Sequence, residues 1–375
     1  MILLSHATLR EASALQKATR YILARSRIAS WCSGEWPSSK RIRVPSKLMS
    51  EPNGSTENRP AFLITIDTEG DNLWSAPRDI QTENARFLHR FQSLCTRFEF
   101  KPTYLTNYEM AMNAGYVEWA HDLEARGTAE VGMHLHAWNS PPLTPLTRDD
   151  FRHAPYLIEY PDNVMREKIT FMTDLLTEKF GRQPTSHRAG RWGFDERYAK
   201  MLVAHGYVVD CSVVPGVTFA ANPGDPAGRG GPDYRSFPEH AYYIDPEDIG
   251  RGQGDGLLEL PVTTMSVRPR MELLGRMPGV AGKAGRRLQN LVWLRPNGRN
   301  IDAMLWCVDR AVNENRPYIE FMLHSSELMP GGSPTFTTTR SIELLYEDLE
   351  QLFDRIAKSF FGGTLTAYAN RLRER

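Results

Sequence analysis

The stretch AFLITID at residues 61–67 is a compact apolar run that ends in an acidic residue. Helical spacing follows over ENARFLHRFQSLCTRF (83–98), and a second apolar run, KPTYLTN, follows at 101–107. A short apolar run between polar residues predicts a buried strand, and apolar residues three or four apart predict an amphipathic helix. Residues 61–107 are therefore predicted to form a strand-helix-strand unit with two parallel strands.

The same alternation continues along most of the chain. Further strands are predicted at 129–136, 185–190, 207–213, 257–263 and 318–325, and further helices at 116–127, 163–181, 195–206, 301–315 and 341–360. Seven parallel strands joined by right-handed helical crossovers predict an α/β protein whose sheet is a distorted or partly open (β/α)7-type barrel.

The predicted barrel domain covers residues 59–375, with loop insertions at 214–256 and 266–300. The first insertion is too long for a simple connection, which is typical of a loop that covers a substrate. Residues 1–58 are predicted to be a poorly ordered basic leader, since residues 1–50 hold nine Lys or Arg and two acids. The leader lacks the apolar region of a secretory signal, so we expect a cytoplasmic protein.

Composition excludes several classes of protein. The 375 residues carry 45 Lys and Arg and 45 Asp and Glu, so the net charge of zero gives no reason to expect nucleic acid as a partner. The sequence has no apolar run close to the ~18 residues needed to cross a bilayer, which excludes an integral membrane protein. The 24% charged and 10% aromatic content excludes general disorder. Four cysteines without paired spacing favour reduced thiols.

Titratable side chains stand near the C-terminal ends of five of the predicted strands. They are Asp67 and Glu69, His134 and His136, Arg188, Asp210, and His324. In a parallel barrel these strand ends and the loops after them form the active-site face. Each residue also has an ordinary structural interpretation, such as a helix cap, an ion pair or a buried histidine. Their common position at one end of the barrel favours a functional site.

The spacing of two pairs points to a metal. Alternate side chains of a strand share a face, so Asp67 and Glu69 point together, and so do His134 and His136. Two imidazoles and a carboxylate on adjoining strand ends can hold zinc or a similar divalent ion and leave positions for water and substrate.

Five ordered motifs then resemble one known family. They are TIDTEGD (65–71), EVGMHLHAW (130–138), HRAGRWG (187–193), YVVDCSVVP (207–215) and FMLHSSEL (321–328). The set resembles the polysaccharide deacetylases, the NodB-homology or carbohydrate esterase family 4 group, and looks closest to divergent bacterial members of surface-polysaccharide biosynthesis. The resemblance implies metal-dependent removal of an acetyl group from an N-acetylated sugar, in a polysaccharide or its precursor.

The resemblance also implies roles for individual residues. Asp67 would be the general base, Arg188 would hold it, His134 would bind the metal, and His324 would be the general acid. The metal would be a divalent ion, with zinc expected first and cobalt, nickel or manganese as alternatives. Asp210 lies in the fourth motif, and whether it tunes His324 stays open.

Two positions depart from the family pattern. The usual adjacent aspartates are replaced by Asp67 and Thr68, so Glu69 is the candidate ligand. The usual second histidine lies four residues after the first, but position 138 is Trp. His136 would then be the third ligand, unless His153 from the following loop replaces it.

The substrate is less well defined by the sequence. Trp74, Trp138 and Trp192 lie in or just after motifs, and we expect them, with Arg191, to bind an N-acetylated glycan or a lipid-linked sugar. Alternatively, these aromatic residues pack in the hydrophobic core of the protein. Other amides are alternatives for the reaction, namely a formyl group or a cyclic amide or ureide. A non-catalytic carbohydrate-binding relative is the alternative of another class.

Residues 268–299 hold eight Lys or Arg and one acid, interleaved with apolar residues. Such a segment is typical of peripheral contact with an anionic membrane, here on its inner face. The alternative is a solvated face that packs on the barrel through its leucines.

Overall fold

The computed structural model describes residues 59–267 and 291–374. The predicted leader, Cys32 and residues 268–290 of the predicted membrane segment lie outside the described residues.

The strands follow the predicted order along the chain. They are β1 (Ala61–Thr68), β2 (Pro102–Thr106), β3 (Glu130–Leu135), β4 (Ser186–Ala189), β5 (Val209–Asp210), β6 (Tyr242–Tyr243), β7 (Leu258–Glu259), β8 (Thr264–Ser266), β9 (Leu291–Trp293), β10 (Tyr318–His324) and β11 (Phe361–Gly363).

The helices lie between the strands. They are α1 (Leu88–Arg97), α2 (Tyr108–Ala111), α3 (Ala114–Ala125), α4 (Asp150–His153), α5 (Asp162–Phe180), α6 (Glu196–Ala204), α7 (Ile301–Asn313), α8 (Thr339–Ala357) and α9 (Leu365–Arg373). Short 3-10 turns occur at Leu73–Ser75, Glu83–Phe87, Leu157–Glu159, Gly190–Trp192 and Ser325–Leu328.

One curled sheet forms the centre of the molecule, in the order β10-β1-β2-β3-β4-β5-β7. All neighbours along this path are parallel. β6 extends the sheet as an antiparallel edge strand, and β11 pairs with the start of β1. The seven parallel strands are the seven that the sequence predicts, so the prediction of a partly open α/β barrel is confirmed.

The barrel is open between β7 and β10, since no ladder joins these two strands within the described residues. Single hydrogen bonds partly bridge the opening. Thr263 N donates to Glu320 O at 3.4 Å, and Leu294 N donates to Thr263 O at 3.0 Å. The segment just after β9, which contains Leu294, therefore lies in the opening where β7 and β10 do not pair.

β5 and β7 are two residues long, much shorter than the predicted runs at 207–213 and 257–263. Buried carboxylates explain part of this difference. Ser212 N donates to Asp210 Oδ2 and Val213 N donates to Glu259 Oε1, both at 2.9 Å, so these amides are not available to a neighbouring strand. The predictions failed here because an apolar run does not reveal side chains that compete for backbone amides.

The core lies between the sheet and the surrounding helices. All eight residues of β1 are buried, as expected for a strand covered on both faces. Phe353 of α8 packs edge-on against Phe62, Phe100 and Phe321, with ring centroids 5.3–6.0 Å apart. The three described cysteines are buried free thiols. Among the described helices, none has the length and apolar character needed to span a bilayer.

Candidate metal centre and active site

Strand register brings the predicted site residues together. Asp67 at the end of β1 lies opposite His324 at the end of β10, and His134 on β3 lies opposite Arg188 on β4. The C-terminal ends of these parallel strands meet at one face of the barrel, where active sites of this architecture are found.

Glu69, His134 and His136 form a buried group whose ligand atoms lie within 4.8 Å of one another. Glu69 Oε2 is 3.6 Å from His134 Nε2 and 3.4 Å from His136 Nε2. These separations are longer than the usual 2.7–3.2 Å of a hydrogen bond, and they are close to the distance of about 3.3 Å between two ligands that lie about 2.0–2.1 Å from one tetrahedral ion. The group therefore fits a divalent metal, and His136 rather than His153 is its third member.

Further hydrogen bonds orient the ring of His134 and hold the backbone of Glu69. His134 Nδ1 contacts the backbone oxygen of Arg188 at 2.9 Å, which leaves Nε2 as the nitrogen that faces Glu69. The backbone of Glu69 is held by Asn84 Nδ2, which donates to its oxygen at 2.8 Å, and by Ser325 Oγ, which accepts from its nitrogen at 3.1 Å. The donor set is thus built into the fold.

Asp67 forms a buried ion pair with Arg188, whose Nη1 donates to Asp67 Oδ1 at 2.5 Å. The other donors of Arg188 bind Cys211 O at 3.0 Å and Thr65 Oγ at 2.7 Å, so the guanidinium is fixed. Burial alone would raise the pKa of Asp67, but the charge of Arg188, with those of nearby histidines, holds this pKa well below its usual range. Asp67 is therefore ionised at neutral pH and can accept a proton.

Arg188 also contacts Glu320 on β10. Burial raises the pKa of Glu320 to about 8, although Arg188 acts to lower it. One guanidinium thus faces two carboxyl groups, and near neutral pH only Asp67 of the two is charged.

His324 lies across the site from the metal group. Its Nε2 is 3.7 Å from Asp67 Oδ2 and 4.0 Å from Glu69 Oε1. The ring of Trp74 packs edge-on against the imidazole, with centroids 5.0 Å apart. Nε2 therefore faces the space between the metal group and Asp67.

Asp210 is not brought to His324. Its carboxylate contacts His187 Nδ1 at 2.5 Å and accepts from Ser212 Oγ at 2.9 Å, within a buried network below the site. The carboxylate that contacts His324 Nδ1, at 3.0 Å, is that of Glu327.

The four residues expected to bind substrate occupy different environments. Trp138 is half-buried and stacks on His136, with centroids 4.4 Å apart and an interplanar angle of 16°. Trp74 is half-buried beside His324. Trp192 is only 8% exposed and packs in an apolar cluster. Arg191 donates to the backbone oxygen of Ala154 and lies over an aromatic ring. Trp74 and Trp138 are therefore the most accessible of the four.

A cavity of about 270 Å³ adjoins Trp138. Its other lining residues include Arg78, Leu143, Arg148 and Asp149. The cavity thus begins at the aromatic ring that stacks on His136.

Sequence reasoning missed Glu320, Glu327 and Arg295. Glu327 stands three residues after His324, the spacing at which a side chain caps a turn, and this was the one available signal. Arg295 belongs to the basic segment predicted to face a membrane, yet it is 8% exposed and ion-paired with Glu327.

Neither a protein-family model nor a curated protein matches the sequence significantly. Solved structures similar to the chain include a protein of Mycobacterium smegmatis assigned as a polysaccharide deacetylase, with 15% identity, coverage of 88% of this chain and 95% of that protein, and a TM-score of 0.46. An allantoinase has 12% identity, coverage of 91% and 98%, and a TM-score of 0.47. A pseudoenzyme of carbohydrate esterase family 4 from Bacillus anthracis has 10% identity, coverage of 84% and 67%, and a TM-score of 0.40.

Members of the group that the five motifs resemble are thus among the similar structures. The same set contains an allantoinase and a pseudoenzyme.

Proposed function

We propose that this protein is a metal-dependent hydrolase that removes the N-acetyl group from a sugar of a surface polysaccharide or its precursor. The observation that carries the proposal is the placement of three kinds of group around one space: a buried Glu-His-His set, an ionised carboxylate fixed by arginine, and a histidine opposite both. Amide hydrolysis needs an electrophile, a base and an acid, and these groups can supply all three.

Glu69, His134 and His136 would hold the metal. When bound, a divalent ion such as zinc supplies Lewis acidity, which polarises an amide carbonyl and lowers the pKa of water. The mixed carboxylate and imidazole donors suit zinc first, with cobalt, nickel or manganese as alternatives.

Asp67 would take the proton of the attacking water, because Arg188 keeps the carboxylate ionised and oriented. His324 Nε2 would give a proton to the sugar nitrogen as the C–N bond breaks. Trp74 and Trp138 border the same space and would contact the sugar ring.

We propose that the reaction acts on a precursor in the cytoplasm. An N-acetylated glycan or a lipid-linked sugar is then the substrate. Peripheral contact with an anionic membrane through residues 268–299 stays a separate prediction, and a liposome sedimentation assay at low salt would test it.

Elemental analysis and acetate release test the proposed function together. We expect about one equivalent of zinc in the wild-type protein and loss of the metal in His134→Ala, His136→Ala and Glu69→Gln. His121→Ala is the matched control, because His121 is exposed on α3. Only wild type and this control should release acetate from N-acetylated oligosaccharides.

Two results would contradict the proposal. Wild-type protein that takes up no metal after reconstitution would favour the non-catalytic carbohydrate-binding alternative. Metal uptake without acetate release would favour another amide, such as a formyl group or a cyclic ureide.

A further inference from the structure

A buried arginine-glutamate pair lies directly behind the ring of His324. Arg295 follows β9, and Glu327 lies in the 3-10 turn after β10. Arg295 Nη2 donates to both carboxylate oxygens, at 3.0 and 3.1 Å, and the two residues are 8% and 1% exposed. A buried charge is costly unless it is paired, so each partner requires the other at this position.

Glu327 contacts His324 at two atoms. Its Oε2 accepts from the backbone nitrogen of His324 at 3.0 Å and lies 3.0 Å from the ring Nδ1. Burial would raise the pKa of Glu327, but Arg295 and His324 lower it to about 2, so the carboxylate is ionised at neutral pH. An ionised carboxylate can only accept hydrogen bonds, and therefore the ring nitrogen donates to it.

Trp74 packs edge-on against the imidazole and helps to fix the plane of the ring. Arg295 Nη2 also lies 3.0 Å from Nδ1, but it donates to Glu327, and as a donor it cannot accept the Nδ1 proton, so Glu327 is the acceptor for that proton. With Nδ1 directed at Glu327, Nε2 is directed at the metal group and lies 3.7 Å from Asp67 Oδ2. The orientation of the ring is thus set from outside the metal group.

We propose that Glu327 and Arg295 are the positioning residues of His324: Glu327 holds a proton on Nδ1, and Arg295 holds Glu327 in place. Nε2 is then the nitrogen that gives its proton to the departing sugar amine. The inference rests on the proposed function and deepens it. The sequence alone leaves open whether Asp210 tunes His324, and the inference assigns that role to Glu327. Arg295 acts at the site by holding Glu327.

A comparison of two substrates tests whether Glu327 and Arg295 position the acid or only stabilise the structure. An N-acetylglucosamine trisaccharide has an amine leaving group that needs a proton, whereas the leaving group of 4-nitrophenyl acetate does not. In the zinc-loaded protein, we expect Glu327→Gln and Arg295→Met to lower kcat on the trisaccharide about tenfold or more, within the range for general acid catalysis, with KM and zinc content little changed. The rate on the ester should fall much less, and Arg295→Lys should recover part of the loss.

Glu343→Gln is the matched control, because Glu343 also pairs with an arginine, Arg90, but in an exposed ion pair between α8 and α1. It should behave as wild type on both substrates. Equal losses on the two substrates in Glu327→Gln, or no loss on the trisaccharide, would overturn the positioning role while leaving the deacetylase proposal intact.

Nitrogen NMR of the ring provides a readout that does not depend on activity. We expect the neutral imidazole of His324 to carry its proton on Nδ1, with its signal assigned through His324→Gln. Glu327→Gln should remove this preference. A proton on Nε2 in the wild-type protein would refute the inference even if no acetate is released, whereas absence of acetate release and zinc would refute only the proposed function.

Discussion

Asp67 and Glu320 approach the same guanidinium, and their protonation states differ because only one positive charge is present between them. Asp67 has the pKa of a well-paired carboxylate, and Glu320 has a pKa of about 8. The fold thus keeps the proposed base ionised and its neighbour protonated near neutral pH. A second ionised carboxylate would compete with Asp67 for Arg188.

Asp67→Asn should separate the role of base from that of metal ligand. The amide can still accept a hydrogen bond from Arg188, but it cannot take a proton. We expect zinc content close to wild type and a loss of about 10²- to 10⁴-fold in kcat. Acetate release at saturating substrate, together with elemental analysis, measures both quantities. Loss of zinc in this variant would indicate instead that Asp67 is a ligand.

Glu320 should make stability depend on alkaline pH. Its pKa is raised from 4.5 to about 8 in the folded protein, so the protonated form favours folding. This contribution is complete below pH 4.5 and is lost as the pH rises through 8. We expect Tm to fall between pH 5 and 9, and to fall less in Glu320→Gln. A Tm that falls equally in both proteins would show that Glu320 does not titrate in this range.

The grouping of Glu69, His134 and His136 could be predicted from sequence because their spacing is local. Glu69 and His136 each follow a strand at a distance that fixes the face of the side chain. Arg295 and Glu327 could not be paired in this way, because 32 positions separate them and the contact depends on how the loop after β9 enters the barrel opening. Periodicity carries no information on such a path.

Gly190, directly after β4, lies against the end of β3, and the close approach leaves little room for a side chain at this position. A Cβ at this position would overlap the backbone oxygen of Leu135 and the ring of His136. The next two residues, Arg191 and Trp192, have positive φ values of 54° and 64°. The turn after β4 therefore packs against His136 at the end of β3.

Gly190→Ala should disturb the metal centre through this contact. We expect zinc affinity to fall about 10- to 100-fold, as for other changes that displace a ligand indirectly, with the sheet retained. Zinc titration with a competing chelator measures the change. Gly115→Ala in α3 is the control, because its Cβ would meet only one atom, at 3.5 Å. Equal affinities in the two variants would mean that the turn after β4 does not position His136.

At this scale the sequence predicted the seven parallel strands and the longest helices, and it missed the additional short strands and the last helix, α9. β1 and α5 were located almost to the residue, since their apolar patterns extend over several turns or pairs. β6, β8, β9 and β11 have two or three residues each, too few for a pattern to repeat. These strands are fixed by contacts with distant parts of the chain.

The whole molecule should become more stable when the metal binds, because only the folded chain brings Glu69, His134 and His136 together. At a free zinc concentration 100 times the Kd, the gain is about 2.7 kcal/mol. For about 300 folded residues we expect an increase in Tm of roughly 4 °C, which differential scanning fluorimetry would detect. A chelator should reverse the increase, and His134→Ala should show none. An increase of the same size in His134→Ala would place zinc elsewhere.

Because β1 pairs with β10, the sheet cannot be completed during synthesis until β10 has left the ribosome. β1 is wholly buried, yet its partner β10 lies about 250 residues further along the chain. At roughly 5–20 residues per second, one edge of this apolar strand waits about 13 to 50 seconds for its neighbour. An unpaired apolar edge invites association with other chains. Nascent chains of this protein should therefore depend on protection until β10 emerges.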